Sequence, residues 1–400
     1  MPKYYYTARD EFGKLVRGVM VAQDEIELGN KLDHLGYILT GIRSRTKEYA
    51  SKSRVRNFNQ RELLEFTIHL ATLINAGVPL VTGLRDLGRD STSPSLQKSV
   101  EELRRRVESG SSLKEATEAF PRSFPKLYTA ILGVGESTGK LGDVLNDLAK
   151  FMEWQMDLRG KVKEAATYPI IIFSVMIVVV TILMVRVIPI FEPLFSDVGV
   201  SLPVVTQALI NTSKAVRQYW YLGILGIFGI VMLYKTYSLN ERGRYNIDSI
   251  KLKLPIFGDV ARKIAISRFC HTLSLGLRSG MDLLSALNLG ADVTANARLS
   301  QSIQMAKKAV NYGEKLANAL EVSEEFPPLV IRMVNLGEQS GALTFTLDKV
   351  NEYYDKEVPA TIKRFFTFFE PMIIILMGIM IATIALAVLL PIFRLVEMVG

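Results

Sequence analysis

The sequence predicts an all-α membrane protein: two repeated cytoplasmic six-helix bundles, three transmembrane helices and a small α+β domain at the N-terminus. Three observations predict it. Long apolar runs interrupt an otherwise charged chain. Two polar stretches repeat one another at an almost fixed offset. Within those stretches apolar residues recur at helical spacing. The composition agrees: of 400 residues, 49% are hydrophobic and 22% charged, and mean hydropathy is +0.21. That is high for a soluble chain, yet too charged for a pure membrane bundle. It excludes disorder, collagen and a disulfide scaffold. One cysteine, Cys270, and three scattered histidines, His34, His69 and His271, exclude an internal disulfide and make a Cys or His metal cluster a poor fit. The net charge of +8 reads first as membrane topology and only second as a nucleic-acid signal.

Residues 1–42 form the expected α+β domain. Tyr4–Ala8 and Lys14–Val21 have strand composition around an Asp10–Gly13 turn, Asp24–Leu35 has a helical pattern ended by Gly36, and Tyr37–Ile42 offers a third strand. The first 40 residues hold no apolar core of a leader peptide, so the N-terminus is expected in the cytoplasm. A tether, 43–57, follows. It carries Arg43, Arg45, Lys47, Lys52, Arg54 and Arg56 against Glu48 and shows no apolar periodicity.

The first polar stretch, 58–168, reads as helices in order. Leu63, Phe66, Leu70, Leu73 and Ile74 share one face, Asn59 with Glu62 makes a capping box, and Phe58 with Leu63 a hydrophobic staple. Gly77 stops that helix and Pro79 starts the next. Ser93-Pro94 opens a third, short helices follow near 112–119 and 124–134, and a last one runs from Leu141 towards the membrane. Residues 235–369 copy this plan. Leu70, Gly77, Leu80 and Leu84 recur as Leu273, Gly280, Leu283 and Leu287, an offset of 203. After one deletion the offset is 202, and Gly135-Glu136-Ser137-Thr138-Gly139 recurs as Gly337-Glu338-Gln339-Ser340-Gly341. Identity at a fixed offset over such a length marks a duplicated unit.

The apolar runs are 169–191, 219–234 and 370–393, followed by a tail, 394–400. The first, Pro169–Phe191, has 23 residues, enough for the roughly 20 a spanning helix needs. The second, Tyr219–Tyr234, has only 16, but each copy must return to the same side, and it is the one segment able to bring the chain back. Tyr219, Trp220, Tyr221, Tyr234 and Tyr237 bracket it as an aromatic belt. Pro169 and Pro371 are expected in the first turn of their spans, where a missing N–H costs little, and Pro189 and Pro391 near the far ends, where they kink or end the helix. Lys and Arg number 26 in 1–168 and 18 in 235–369, against Lys214 and Arg217 in the loop 192–218. Both repeats are therefore expected in the cytoplasm, with the loop 192–218 and the tail 394–400 in the periplasm.

Candidate chemistry is sparse. Gly133 to Lys140 invites a phosphate-loop reading, but five residues separate Gly133 from Gly139, Leu141 follows Lys140, and the second copy lacks the lysine. Glu136 and Glu338 recur inside their Gly-bounded turns. They suit capping of the helix that follows, or contact with a partner or cation. Arg104, Arg105 and Arg106 suit either a solvated helix face or an anionic lipid or acidic partner, and no interleaved aromatics support nucleic acid. Arg186, near the end of its span, is expected to snorkel. Thr181 recurs as Thr383, but no charged residue repeats inside the spans, which argues against a transporter, and no nucleophile, base and oxyanion set converges, which argues against an enzyme.

In this ordered set of motifs the chain resembles the type II secretion/type IV pilus inner-membrane platform family (GspF/PilC-type). The likeness rests on the duplicated helical domain, the Gly-Glu-x-x-Gly turns at 135–139 and 337–341, and the (Ala/Ser)-Gly pairs that end the first helix of each repeat at Gly77 and Gly280. Tyr168-Pro169, Glu370-Pro371 and the terminal Leu390-Pro391-Ile392-Phe393 add to it. It implies a scaffold without cofactor or catalysis, multi-pass in the bacterial inner membrane and a homodimer or higher oligomer. Its implied partners are a cytoplasmic hexameric assembly ATPase, pilin-like or pseudopilin subunits and other inner-membrane assembly proteins, and no nucleic acid. It leaves Gly135, Glu136, Gly139, Gly337, Glu338, Gly341 and Arg104–Arg106 as candidate partner-contact or turn positions. Reversing both glutamate charges is then expected to weaken the ATPase contact and leave the fold intact.

Overall fold

The computed structural model describes residues 3–9, 15–21, 25–44, 57–90, 94–190, 204–255 and 257–399. The chain divides into two compact units, 1–57 with 85–102, and 58–84 with 103–400.

In the first unit β1 (Lys3–Arg9), β2 (Leu15–Val21) and β3 (Ile38–Ser44) form an antiparallel sheet in the order β2-β1-β3. Tyr5 faces Val19 on one side and Arg43 on the other, and the register slips between Thr7 and Ala8. Helix α1 (Glu25–Asp33) packs beside β3, with Ala8 and Leu32 fully buried. β3 reaches Ser44, into the stretch expected as tether, because Arg43 and Ser44 still pair with Tyr5 and Tyr4. The Asp10–Gly13 turn and tether residues 45–56 lie outside the described residues.

The helices that follow are α2 (Gln60–Asn75), α3 (Leu80–Asp90), α4 (Pro94–Glu108), α5 (Leu113–Glu118), α6 (Lys126–Ser137) and α7 (Leu141–Ile182). The capping box forms: Asn59 accepts from Glu62 N at 2.9 Å while Glu62 accepts from Asn59 N at 2.7 Å. Phe58, Phe66, Phe124 and Tyr128 make the aromatic centre, with ring centroids 5.2–6.1 Å apart. The Tyr128 hydroxyl meets Thr67 at 3.0 Å, and burial holds its pKa above the usual range.

Beyond the first span come α8 (Val204–Leu239), α9 (Glu241–Lys253), α10 (Phe257–Arg278), α11 (Leu283–Val293), α12 (Ala297–Asn311), α13 (Leu316–Glu321), α14 (Pro328–Ser340) and α15 (Leu343–Val399). Phe269 and Phe326 occupy the places of Phe66 and Phe124, with centroids 5.4 Å apart. Leu158 of α7 enters this second core, and Trp154, Val162 and Ala165 pack on it.

Among the described residues three helical stretches are long and apolar enough to cross a membrane, Leu141–Ile190, Thr206–Leu239 and Leu343–Ala387. The chain is a multi-pass membrane protein. Pro169 and Pro371 do not start helices; both lie inside continuous ones. The C=O groups they orphan lie where the spans begin, and membrane helices tolerate such breaks better than soluble ones. Pro391 does not end α15 either. With 42 and 57 residues, α7 and α15 are roughly 63 and 85 Å long at 1.5 Å per residue, far beyond the roughly 30 Å hydrocarbon core. Each is one rod with an apolar half and a polar half.

The segment 192–218 is helical from Val204 onward, where a loop was expected; residues 191–203 lie outside the described residues. The bend at Tyr219 (φ −118°, ψ 16°) separates this first half of α8 from the apolar run. Thr206, Leu209, Ile210 and Ser213 form a stripe that packs on Met184, Ile188, Ile384 and Ala387. Thr206 donates to Ala387 O at 2.8 Å. Ser213 donates to Met184 O, inside the π-helical turn Leu183–Val187 that also contains Arg186. A wide turn leaves carbonyls poorly paired, and a hydroxyl from the neighbouring helix supplies the partner.

Candidate functional site

The paired turns have the same construction in both copies. Gly135 and Gly337 lie in the last turn of α6 and α14, in close contact with the next helix. A Cβ on Gly135 would lie 2.9 Å from Val144 Cβ, and one on Gly337 2.8 Å from Leu343 Cα. Gly139 and Gly341 take positive φ, +69° and +66°, the left-handed turn that glycine adopts without strain. Gly133 and Gly135 lie inside a helix, so no phosphate loop exists there.

The glutamates correct the expectation. Neither caps the helix that follows. Glu136 reaches back 22 or 23 residues to accept from Leu113 N at 2.8 Å and Lys114 N at 3.3 Å. Glu338 accepts from Leu316 N at 2.6 Å and Ala317 N at 2.9 Å. Each carboxylate therefore covers the positive end of the short helix that precedes its own, and both its oxygens are occupied. Charge reversal with an intact fold is not compatible with this geometry. Glu136→Ala is expected to cost about 1–2 kcal/mol, and Glu338→Ala the upper end of that range because its bonds are shorter. Thermal unfolding of each variant in detergent checks this; unchanged midpoints would refute the capping role.

The arginine run splits. Arg104 pairs with Glu108, Arg106 lies over the Phe120 ring at 5.6 Å, and Arg105 is exposed. Cys270 is buried, and burial pushes its thiol pKa up to about 12, which makes it unreactive. Among the described residues, no group of three or more His, Cys, Asp or Glu side chains could hold a metal ion.

Sequence reasoning missed the contact between the repeats. Trp154 of α7 stacks on His271 of α10, with centroids 3.8 Å apart and planes 23° from parallel. Asp355 of α15 ties both: Trp154 Nε1 donates to it at 2.7 Å, and His271 Nε2 lies 2.9 Å away. Nearby, Arg278 meets Asp348 at 2.5 Å and Asp147 at 3.7 Å. Where the rods become apolar, Tyr168 donates to Glu370, its own counterpart in the repeat, at 3.4 Å. The signal was present in α7, whose apolar face continues past Phe151 to Trp154 and Leu158, further than its own bundle needs. The arrangement binds two helical bodies and two rods into one piece, with no reacting group at its centre.

Comparison with known proteins returns the same duplication. The family profile described as type II secretion system (T2SS), protein F matches residues 66–189 and again 269–391. The profile of the protein F N-terminal domain matches residues 1–43. The chain is 32% identical over 397 residues to the type IV pilus assembly protein PilC of Myxococcus xanthus, covering 98% of this chain and 95% of that protein. It is 32% identical over 401 residues to PilC of Thermus thermophilus (99% and 98% covered). With the type II secretion system protein F of Pseudomonas aeruginosa it shares 31% over 405 residues, covering both chains in full.

Proposed function

The chain belongs to the type II secretion system protein F family, and from that premise we propose that it is the inner-membrane platform of a type IV pilus or type II secretion machine. It couples a cytoplasmic hexameric assembly ATPase to the insertion of pilin or pseudopilin subunits into the growing fibre. The observation that carries this reading is mechanical. α7 and α15 run unbroken from the helical repeats into the membrane spans, so a push or turn applied to the repeats reaches the bilayer without a hinge. The scaffold supplies no chemistry; the energy comes from the partner.

In this proposal 58–168 and 235–369 are two six-helix bundles on the cytoplasmic side, with the 1–42 domain held to them by the 43–57 tether. The spans centre on 169–191, 219–234 and 370–393, and 192–218 with the tail 394–400 face the periplasm. The lysine and arginine distribution supports this orientation. The Gly-Glu-x-x-Gly turns shape the bundles, since their glutamates point at helix ends within their own repeats, and the exposed Arg105 keeps the arginine run Arg104–Arg106 as the partner-contact candidate. A mild-detergent pull-down of the tagged chain from native membranes tests the proposal. Recovery of an assembly ATPase with pilin-like subunits is expected, and the identity of the pilins names the machine. Recovery of neither, with cross-linking before lysis also negative, would overturn it.

A further inference from the structure

Where the second repeat approaches the spans it carries a cation without a counter-charge. Arg268 of α10 lines a pocket of about 360 Å³ together with Asp248 and Lys251 of α9. The Arg268 Nε is buried and has no hydrogen-bond partner. Asp248 is committed elsewhere: one oxygen accepts from Lys251 Nζ at 2.9 Å and the other from Ala297 N at 2.9 Å. Burial and the like charge of Arg159 on α7 hold the Arg268 pKa below the usual guanidinium range. Arg159 itself is held by the neutral side chain of Gln60. Among the described residues no carboxylate pairs with either arginine. A partly desolvated guanidinium with no acid beside it is costly, and an anion bound in the pocket would offset that cost.

Most of the remaining wall is apolar: Val162 of α7, Phe257 and Ile264 of α10, and Phe365 and Phe366 of α15. Two contacts fix the depth of this apolar end. Phe257 meets Phe365 edge to face, with ring centroids 6.0 Å apart, and Phe365 precedes Glu370, where α15 turns apolar, by about 7 Å at 1.5 Å per residue. Lys251 Nζ lies 5.8 Å from the ring of Tyr234, in the aromatic belt of the second span. The headgroup layer adds roughly 5–7 Å to each side of the hydrocarbon core, so this end of the pocket lies at headgroup depth. The first repeat has no equivalent. Glu65 stands where Arg268 does, and Lys163 and Glu164 stand where Phe365 and Phe366 do. The fold of the repeat therefore does not require these residues.

We propose that this pocket takes the head of an anionic phospholipid from the adjoining leaflet, with the phosphate group at Arg268 and the chains passing Phe257 and Phe365 into the bilayer. A soluble anion would satisfy the charge and leave the apolar walls wet, whereas a lipid satisfies both. Basic groups at this depth also attract anionic lipid over the short range of the surface potential. An anionic head suits the site better than a zwitterionic one, because both oxygens of Asp248 are occupied and cannot receive an ammonium group. The inference goes beyond the platform reading and does not depend on it; it requires only that the chain spans a membrane.

The test is native mass spectrometry of the full-length chain, equilibrated in detergent with an equal mixture of phosphatidylglycerol and phosphatidylcholine. The parent is expected to retain one phosphatidylglycerol in preference to phosphatidylcholine. Arg268→Met should lower the retained fraction about tenfold, and Arg268→Lys should keep most of it. Ala261→Phe, which fills the pocket from its wall and leaves the cation in place, should abolish it. Lys253→Gln, at an exposed base outside the lining, should change nothing. Equal retention by Arg268→Met or Ala261→Phe, no preference between the two lipids, or displacement of the lipid by an equal concentration of inorganic phosphate overturns the proposal. If Arg268→Met does not fold, the other pair decides: retention by Arg268→Lys with loss by Ala261→Phe supports the site, and any other result overturns it. None of these readouts involves an ATPase or a pilin, so their failure leaves the platform reading standing. A failed pull-down in turn leaves this site standing.

Discussion

Glu325→Ala is expected to destabilise the chain by about 3 kcal/mol, the lower end of the range for removing one partner of a buried ion pair. The Glu325 side chain is 3% exposed. Arg298 Nε lies 2.5 Å from one carboxylate oxygen and Arg262 Nη2 3.4 Å from the other. Without the carboxylate two guanidinium groups are left beside each other with no counter-charge between them. Both arginines are about a third exposed, at 33% and 39%, so water relieves part of the cost, and the lower figure follows. The first repeat clarifies the role. There Ser123 holds the same position before Phe124-Pro125, and its hydroxyl accepts the Phe58 N–H at 3.2 Å. One repeat closes this corner with a neutral hydrogen bond and the other with an ionic triad. Glu325→Ser, the residue of the sister repeat, should therefore rescue nothing, because the arginines remain. Triple replacement by Glu325→Leu, Arg262→Met and Arg298→Met should recover most of the loss. Chemical denaturation of the four proteins in detergent gives the order. A single variant within about 1 kcal/mol of the parent would mean that the arginines re-solvate freely and the triad is ornamental.

Much of this molecule was legible in its sequence because it depends on local pattern. The spans follow from runs of apolar residues, the α2 cap from Asn59 and Glu62, and the repeat from counting. What escaped depends on contacts far apart in the chain. Nothing near Glu136 or Glu338 indicates that each reaches back to a helix some 22 residues earlier. A carboxylate inside a turn suggests the nearest helix, and tertiary packing chose another. Pro169 and Pro371 look like starts because in water a proline inside a helix costs about 3 kcal/mol. Where the polar rods enter the spans, helix on both sides overrides that preference. The second span looked too short because only the part of α8 beyond the bend at Tyr219 is an unbroken apolar run. The stripe Thr206, Leu209, Ile210 and Ser213 is half polar, so averaging hides it, although its helical spacing was there to read.

The last expected result separates the two glycines of each turn. Gly337→Ala is expected to cost about 2–3 kcal/mol, and Gly341→Ala about 1 kcal/mol. A Cβ at 337 would lie 2.8 Å from Leu343 Cα and closer still to the Thr346 hydroxyl. The first obstacle is backbone, so α15 itself must move away. That shift also pulls on Glu338, the adjacent residue, and loosens its hold on Leu316 and Ala317. At 341 a Cβ meets nothing within 4 Å, and the cost is the strain of φ +66° alone. The same order should hold for Gly135→Ala over Gly139→Ala, with a smaller gap, because the obstacle at 135 is the Val144 side chain and not backbone. Unfolding midpoints of the four variants in detergent decide it. If Gly341→Ala is the more damaging, turn conformation dominates and the close approach of α14 to α15 is slack. If Gly337→Ala is, the junction sets the angle at which α15 leaves its bundle for the membrane. A platform that conducts force along that rod then depends on one missing methyl group.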